Sequence, residues 1–176
     1  FSHPLRGGPG SEGALVVIPA RRGSTRLPGQ PLLRADGKFL IQLVYERALL
    51  LRRAAEVIVA TDHESILEAV QSFGGRAVMT AASHASGSDR VAEVARGHDF
   101  PIVLNLQGDE PEFPVEDVDA LVEAMEKEGE APLGTLVFPA LTAEEQQTPS
   151  VVKAIVEGRY AVDFRREPTP GAGRHI

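Results

Sequence analysis

The sequence predicts an α/β fold, with a mostly parallel open sheet and helices on both faces. Short apolar runs rich in β-branched residues alternate four times with stretches whose apolar residues recur at helical spacing. The runs are apolar throughout, which is typical of strands that are covered on both faces. This alternation indicates parallel strands that are joined by right-handed helical crossovers.

The first strand is predicted at 15–20, where LVVIPA is apolar throughout and too short for a helix. The segment 40–54 is predicted to be a helix because its apolar residues form one stripe, Leu40, Leu43, Val44, Ala48 and Leu51. The same two patterns predict, in chain order, strand 56–62, helix 63–75, strand 76–80, helix 88–98, strand 101–107, helix 115–129 and strand 132–140.

The two ends of the chain differ from this pattern. Residues 151–164 form two β-rich runs about Gly158, which predicts a C-terminal β-hairpin. The final stretch, TPGAGRHI, is loop-like and predicts no closing helix or strand. Residues 1–13 are rich in glycine, serine and proline and are predicted to be a flexible leader. We therefore expect one α/β domain over 14–176, which is C-terminally incomplete.

Length and composition exclude several classes of protein. A chain of 176 residues is long enough for one domain with a hydrophobic core, and 43% hydrophobic and 24% charged residues are typical of a globular protein. The net charge of −7 gives no general attraction to nucleic acid or to an anionic membrane. No run approaches the roughly 18 apolar residues of a membrane span. The absence of cysteine excludes disulfides and thiolate metal sites and fits a cytoplasmic protein.

The predicted sheet brings four loops to one edge. In open sheets of this kind, ligands bind beyond the carboxyl ends of the strands. We expect the loops that follow the first four strands to lie there, namely PARRGSTRLPG, TDH, TAASHASGSDR and QGDEP. Residues that are far apart in the sequence would then line one site.

The first of these loops contains three arginines, Arg21, Arg22 and Arg26. Guanidinium groups match phosphate or carboxylate, and the Gly-Ser-Thr run lets backbone N–H groups form an anion-binding concavity. Three like charges this close together favour an anion between them, such as a triphosphate. The alternative is a solvated basic loop whose arginines pair with surface carboxylates. The Walker motif and the glycine motif of dinucleotide-binding folds are both absent.

Six segments resemble the motifs of one enzyme family. The first four follow the family's order at similar spacing, whereas the connection between Pro170 and His175 is shorter than the family normally shows. PARRGSTRLPGQPL (19–32) resembles the PAR-x-x-S-T-R-L-P-G-K-P-L loop of the 3-deoxy-manno-octulosonate (Kdo) cytidylyltransferases, also called CMP-Kdo synthetases. The other five segments are ATDH (60–63), HASGSDR (84–90), NLQGDEP (105–111), FRREPTP (164–170) and the closing His175-Ile176. The resemblance extends from about residue 15 to the end of the chain.

The resemblance implies a fold, an activity and partners. The implied fold is that of the nucleotide-diphospho-sugar transferases. The family transfers CMP from CTP to the anomeric 2-hydroxyl of Kdo, releases pyrophosphate and supplies CMP-Kdo for lipopolysaccharide biosynthesis. The implied cofactor is Mg²⁺, the implied location is the cytoplasm, and the full-length protein is expected to be a homodimer. We expect CTP and Kdo as small-molecule partners of this chain, and neither nucleic acid nor membrane.

The resemblance also implies roles for individual residues. The expected CTP contacts are Pro19, Ala20, Arg21, Ser24, Arg26, Gln30, Ser86 and Gly87. The expected Kdo contacts are Arg90, Gln107, Arg166 and His175. The expected catalytic residues are Arg21, Arg26 and Asp109, and Asp109 is also the expected Mg²⁺ ligand.

Some of these positions have structural explanations of their own. Asp109 follows a predicted buried strand, where a carboxylate can hold Mg²⁺ beside substrate phosphates, but a turn or cap residue before Pro111 is an equal alternative. The resemblance favours the metal. Gln107 lies two residues before Asp109 and leaves the same face if the chain stays extended. Ser86 and Asp89 have the spacing of a capping box at a helix start.

One departure from the family pattern keeps other functions open. Gln30 stands where the family loop usually has lysine, which removes a positive charge beside the expected triphosphate. The alternatives are a cytidylyltransferase for another acid sugar, such as amino-Kdo or a sialic acid, and a CTP-binding fragment with little catalysis. Sialic acid enzymes usually carry a Gly-Gly-Ser-Lys version of the first loop, which this sequence does not match. We also expect the 176-residue chain to be less active than a full-length relative.

Overall fold

The computed structural model describes residues 13–21, 23, 29–128 and 131–175. This part of the chain forms two compact units, which divide after Lys127. The first unit carries the alternating strands and helices, and the second carries the hairpin. The expectation of one domain over 14–176 stays a prediction.

The first unit alternates strands and helices along the chain. In order, it contains β1 (Ala14–Ala20), a 3₁₀ helix (Gln30–Leu32), β2 (Arg34–Ala35), β3 (Lys38–Phe39), α1 (Leu40–Ala48), β4 (Ala54–Thr61), α2 (Glu64–Ser72), β5 (Ala77–Met79), α3 (Gly87–Ala95), β6 (Ile102–Asn105) and α4 (Val115–Lys127). Among the helices of the described ranges, none combines the length and the apolar character that a membrane crossing requires.

Four of these strands form a parallel sheet in the order β5-β4-β1-β6. Val17, in the middle of β1, lies opposite Ile58 of β4 and Asn105 of β6, so β1 is paired on both sides. The strand order reverses at β1, because the chain moves outward through β4 and β5 and then returns to the other side of β1. The predicted fold class, an open and mostly parallel α/β sheet, is confirmed.

Both faces of the sheet are covered. On one face, alternate residues of β1 and β4 pack against Val91 and Val94 of α3; these strand residues are Leu15, Val17, Ile58 and Ala60. On the other face Val16, Ile18 and Val59 are also fully buried, and α1 packs against β1 and β4. Burial on two sides explains why these strands are apolar at every position instead of alternating.

The predicted helix over 40–54 is wrong in its second half, since α1 ends at Ala48. The reason is a contact with α4 that the local pattern does not show. The buried carboxylate of Asp119 accepts hydrogen bonds from the backbone N–H groups of Arg52 (3.1 Å) and Arg53 (2.9 Å). These bonds hold a turn before β4 begins at Ala54, and they outweigh the helical spacing of the apolar residues.

The second unit is an antiparallel sheet in the order β7-β10-β8-β9. Its elements are β7 (Val137–Phe138), α5 (Ala143–Gln147), β8 (Lys153–Glu157), β9 (Tyr160–Arg165) and β10 (Gly173–His175). The predicted hairpin about Gly158 is confirmed as β8 and β9, with Gly158 at a φ of 62°, which suits glycine.

Two expectations for this region are wrong, and one helix was not predicted. The strand predicted over 132–140 is two residues long, because only Val137 and Phe138 pair with β10. The closing stretch that looked like a loop contains β10, whose partners β7 and β8 come earlier in the chain. Helix α5 was not predicted, although Thr142 and Glu145 form a capping box at its start, a signal that the sequence carries.

Lys153 in β8 is fully buried. Its ammonium group donates hydrogen bonds to the backbone carbonyl oxygens of Thr148 (2.7 Å), Val151 (2.9 Å) and Arg166 (3.2 Å). Three N–H donors therefore meet three acceptors, which compensates for burying the charge. The bonds hold the segment 148–151 and the end of β9 together.

Lys153→Met should lower the free energy of unfolding by about 2–4 kcal/mol, because three backbone carbonyl groups lose their charged donor. Lys38→Met is the matched control, since Lys38 pairs with Glu46 at 2.6 Å on the surface and its loss should cost less than about 1 kcal/mol. Urea denaturation followed by circular dichroism measures both variants. Equal losses would contradict the role assigned to Lys153.

Candidate functional site

A cleft of about 240 Å³ lies in the first unit, beyond the carboxyl ends of the parallel strands. Segments that follow β1, β5 and β6 form its walls, so it lies where the strand order reverses at β1. Open α/β sheets bind their ligands at such reversal points. The lining residues are Pro19, Ala20, Arg21, Gln30, Pro31, His84, Ser86, Gly87, Arg90, Gln107, Gly108 and Asp109.

Most of the residues expected in a site line this cleft. They are Pro19, Ala20, Arg21, Gln30, Ser86, Gly87, Arg90, Gln107 and Asp109. Ser24 and Arg26 lie outside the described residues. Arg166 and His175 belong to the second unit. Pro31, His84 and Gly108 also line the cleft and were not predicted, although all three lie in the segments that resemble the family motifs.

Arg21 and Asp109 bring opposite charges to the same cleft. Arg21 follows the last residue of β1, and Asp109 lies in the turn after β6. Both are exposed, and within the described ranges neither forms an ion pair. The carboxylate of Asp109 also accepts no hydrogen bond from those residues, so nothing there supports the alternative that it caps a turn. Both charges are available to a ligand.

The turn that carries Asp109 is pressed against the end of β1. The predicted strand 101–107 ends at Asn105, and the backbone N–H of Leu106 donates to the carbonyl oxygen of Val17 at 3.0 Å. A Cβ atom on Gly108 would lie 2.9 Å from the carbonyl oxygen of Pro19. Only glycine allows this approach, which explains why Gln107 and Asp109 reach the cleft without an extended chain.

The 3₁₀ helix supplies the next part of the wall. Gly29 precedes it with a φ of 76°, a left-handed conformation that favours glycine, and Pro31 is buried in its first turn. Pro31 has a fixed φ and no N–H to satisfy, so it suits the start of a helix. Gln30 is thereby held half-buried at the cleft, in the position where lysine was expected.

Helix α3 begins at the cleft with the capping box that the sequence indicated. The hydroxyl of Ser86 accepts from the N–H of Asp89 at 3.1 Å, and the Asp89 carboxylate accepts from the N–H of Ser86 at 3.1 Å. The Ser86 hydroxyl also donates to that carboxylate at 2.7 Å, which lowers the pKa of Asp89 from its ordinary value. Because the cap uses both the hydroxyl and the backbone N–H of Ser86, the backbone N–H of Gly87 is the more accessible donor for a ligand.

Glu93 of α3 fixes the loop before the helix. Its carboxylate accepts from the ring of His84 and from the backbone N–H of Ala81, the latter at 3.0 Å. The hydrogen bond from His84, followed by that from Ala81, holds the pKa of Glu93 below its ordinary value. The ionised carboxylate is an acceptor only, so the Nε2 atom of His84 carries the proton. The imidazole is thereby held at the cleft wall.

Arg90 is the buried cation of the cleft, with a relative exposure of 2%. Its guanidinium donates to the carboxylate of Asp62 at 2.8 Å and to the hydroxyl of Thr80. The Thr80 hydroxyl in turn donates to the carbonyl oxygen of Thr61 at 3.0 Å, at the end of β4. Residues that follow or end two neighbouring strands, β4 and β5, therefore fix this guanidinium, and Asp62 compensates its charge.

The two expected site residues of the second unit have contacts within that unit. The ring of His175 forms a hydrogen bond of 2.9 Å with the hydroxyl of Thr135 and an edge contact with Phe164. Burial lowers the pKa of His175 from its ordinary value, so it is neutral at pH 7. The guanidinium of Arg166 donates to the carbonyl oxygen of Pro149 at 3.1 Å and remains exposed.

Among the described lining residues, Asp109 is the one that carries a carboxylate, the ligand type that suits Mg²⁺. The described residues contain no group of three or more histidine, cysteine or carboxylate side chains that could enclose a metal on its own. Mg²⁺ does not need such a group, since it commonly binds through one or two carboxylates together with substrate phosphates. An exposed carboxylate across a cleft from an arginine fits that mode.

Comparisons with known proteins agree with this architecture. A family model described as cytidylyltransferase matches residues 15–176. The 3-deoxy-manno-octulosonate cytidylyltransferase of Escherichia coli is 49% identical over 158 residues, covering 89% of this chain and 64% of the relative. That of Thioalkalivibrio sulfidiphilus is 48% identical over 159 residues, covering 88% of this chain and 63% of the relative. The chain therefore spans less than two thirds of the length of these relatives.

Solved structures give the same result. CMP:2-keto-3-deoxy-manno-octonic acid synthetase complexed with CTP matches with a TM-score of 0.88 and 45% sequence identity, over 93% of this chain and 71% of that chain. Sequence and structure therefore point to the same relatives. Since the family model matches nearly the whole chain, the chain belongs to the cytidylyltransferase family.

Proposed function

We propose that the chain is the CTP-binding part of a CMP-Kdo synthetase, which transfers CMP from CTP to the anomeric 2-hydroxyl of Kdo and releases pyrophosphate. The observation that carries the proposal is the meeting of Arg21 and Asp109 in one cleft at the reversal point of the sheet. A similar protein, solved in complex with CTP, supports the choice of nucleotide. The names of the most similar relatives support Kdo as the acceptor.

In this proposal Arg21 binds the phosphates of CTP. Its guanidinium is exposed and has no carboxylate partner within the described ranges, so it offers a fork of donors to phosphate oxygens. As the bond to pyrophosphate breaks, negative charge grows on the leaving group. A donor that is held in place before the reaction stabilises that charge without reorganisation. Ser24 and Arg26 are proposed as further phosphate ligands from the same loop.

Asp109 is proposed to hold Mg²⁺ beside the phosphates. Bound Mg²⁺ would supply positive charge to the phosphate oxygens and to the carboxylate of the sugar. The chain itself contributes the position of Asp109, which the close approach of Gly108 to Pro19 fixes. In-line attack by the sugar hydroxyl on the α-phosphorus then depends mainly on how the two substrates are aligned.

The acid sugar needs donors of its own, since it carries a carboxylate. Gln107 lines the cleft and is proposed to contact it, together with Arg166 and His175 of the second unit. Arg90 also lines the cleft, but Asp62 compensates its charge, so it is not proposed as the partner of the sugar carboxylate. Pro19, Ala20, Gln30, Ser86 and Gly87 are proposed to contact CTP. We further propose that the full-length protein is a cytoplasmic homodimer.

A chain that binds CTP but turns over slowly is the second candidate. Gln30 favours it, because this side chain lines the cleft where the family loop usually has lysine. Glutamine can donate a hydrogen bond to a phosphate but adds no positive charge.

CTP should raise the melting temperature more than UTP, ATP or GTP, because only a ligand of the folded state stabilises it.

Arg21→Gln should weaken CTP binding about tenfold, the usual effect of losing a hydrogen bond to a charged group. Arg34→Gln is the control, since Arg34 donates to the Gly37 carbonyl oxygen and does not line the cleft. Thermal shift and calorimetry measure both effects, and equal shifts for all four nucleotides would refute the proposal.

Pyrophosphate release from CTP across Kdo, amino-Kdo and sialic acid identifies the acceptor, with the highest kcat/KM expected for Kdo. CTP binding without release for any sugar would favour the second candidate.

Asp109→Asn should lower pyrophosphate release about 100-fold at saturating Mg²⁺, because charge stabilisation by a metal is typically worth several kcal/mol. Glu110→Gln removes the neighbouring carboxylate, which does not line the cleft, and should retain most of the activity. CTP binding measured in EDTA should persist in Asp109→Asn. A normal response of this variant to Mg²⁺ would exclude Asp109 as the ligand.

Gln30→Lys should tighten CTP binding about fivefold, because it adds one charge beside the phosphates at a half-buried position. Gln71→Lys adds the same charge on the exposed surface of α2 and should leave the Kd unchanged. Isothermal titration at two salt concentrations measures both variants. The gain in Gln30→Lys should shrink at the higher concentration, and an equal gain in the control would show that the effect is not local.

A further inference from the structure

The cleft contains two arginines that differ in exposure and in whether a carboxylate compensates their charge. Arg21 is exposed and has no acidic partner in the described part of the chain. Arg90 is almost completely buried, and its guanidinium donates to the carboxylate of Asp62 at 2.8 Å. The side chain of Asp62 is itself only 18% exposed, so water screens this pair weakly. Arg90 therefore presents N–H donors to the cleft with little net positive charge.

The direction of these donors is also fixed. A second nitrogen of the Arg90 guanidinium donates to the hydroxyl of Thr80. That hydroxyl donates in turn to the carbonyl oxygen of Thr61. Asp62 and Thr80 therefore bind two different nitrogens of one planar group. Of the five N–H bonds of a guanidinium, those not used by Asp62 and Thr80 keep one orientation at the cleft wall.

We propose that Asp62 is a positioning residue for nucleotide selection: its carboxylate cancels the charge of Arg90 and orients that guanidinium toward an uncharged base edge instead of a phosphate. This role rests on the proposed function and assigns a task to a residue that does not itself line the cleft.

The chemistry of the pyrimidines shows what such a group would select. Cytosine presents two adjacent acceptors, N3 and O2, which match two parallel N–H donors. Uracil carries a proton on N3, so one donor would face another donor. A fixed, neutralised guanidinium therefore prefers cytosine and gains little from phosphate, whereas an uncompensated guanidinium binds phosphate strongly.

The experiment compares Asp62→Asn with the wild-type chain. The variant keeps the size of the side chain but removes its charge, so Arg90 becomes an uncompensated cation. Isothermal titration gives the Kd of CTP, of UTP and of inorganic pyrophosphate. We expect the preference for CTP over UTP to fall about tenfold and pyrophosphate binding to tighten about tenfold. Glu46→Gln is the matched control, because it removes a carboxylate from the Lys38 pair outside the cleft, and it should change neither quantity.

Two further variants keep the test decisive. In Asp62→Asn/Arg90→Gln the gain in pyrophosphate affinity should disappear, since the uncovered charge is gone. Thr80→Val keeps the ion pair but removes one anchor, so it should reduce base preference without changing pyrophosphate affinity. If Asp62→Asn does not fold, an unchanged base preference in Thr80→Val overturns the proposal. A folded Asp62→Asn with wild-type values for base preference and pyrophosphate also overturns it.

The design separates this inference from the proposed function. A wild-type chain that does not prefer CTP to UTP would refute the proposed function. The pyrophosphate measurement does not depend on that preference, because it reports only whether Asp62 masks the charge of Arg90.

Discussion

The position of β1 is the constraint on which the rest of the first unit depends. This strand is paired on both sides and buried on both faces, so no side chain along it can reach a ligand before its last two residues. At its carboxyl end the neighbouring strands β4 and β6 diverge into their own loops, and space opens between them. Pro19, Ala20 and Arg21 are the first residues to reach that space. In the sequence, this geometry corresponds to an apolar strand that is followed directly by a basic loop.

Carboxylates of the protein order the cleft rather than compete for its ligand. The carboxylates of Asp89 and Glu93 accept hydrogen bonds from the loop that precedes α3. The carboxylate of Asp62 is paired with Arg90. Asp62 is compensated by the guanidinium of Arg90, whereas Asp89 and Glu93 stay ionised and are held in place by hydrogen bonds at the start of α3. A chain with a net charge of −7 can still offer a positive group to an anionic ligand in this cleft, because Arg21 has no carboxylate partner among the described residues. Asp109 differs from these three carboxylates, which agrees with its proposed task of holding a cation.

Sequence reasoning predicted what local patterns and strand order determine. The convergence of Arg21 and Asp109 follows from the rule that parallel strands end at one edge, and the cap at Ser86 follows from its spacing to Asp89. The reasoning failed where a distant group decides. Asp119 fixes the turn after α1 by binding Arg52, 67 positions earlier, and the need for glycine at residue 108 is visible only beside the carbonyl oxygen of Pro19. The pairing of Arg90 with Asp62 likewise joins residues 28 positions apart.

The cap at the start of α3 has a consequence for mutagenesis of this segment. The hydroxyl of Ser86 is engaged by Asp89 through both its proton and its lone pair, so truncating the side chain frays the helix before it removes any ligand contact. Fraying would also displace Arg90, three residues into that helix beyond Gly87. An alanine scan across HASGSDR would therefore record loss of affinity at positions that never touch a nucleotide. Measurements of helix content on each variant would separate the two causes.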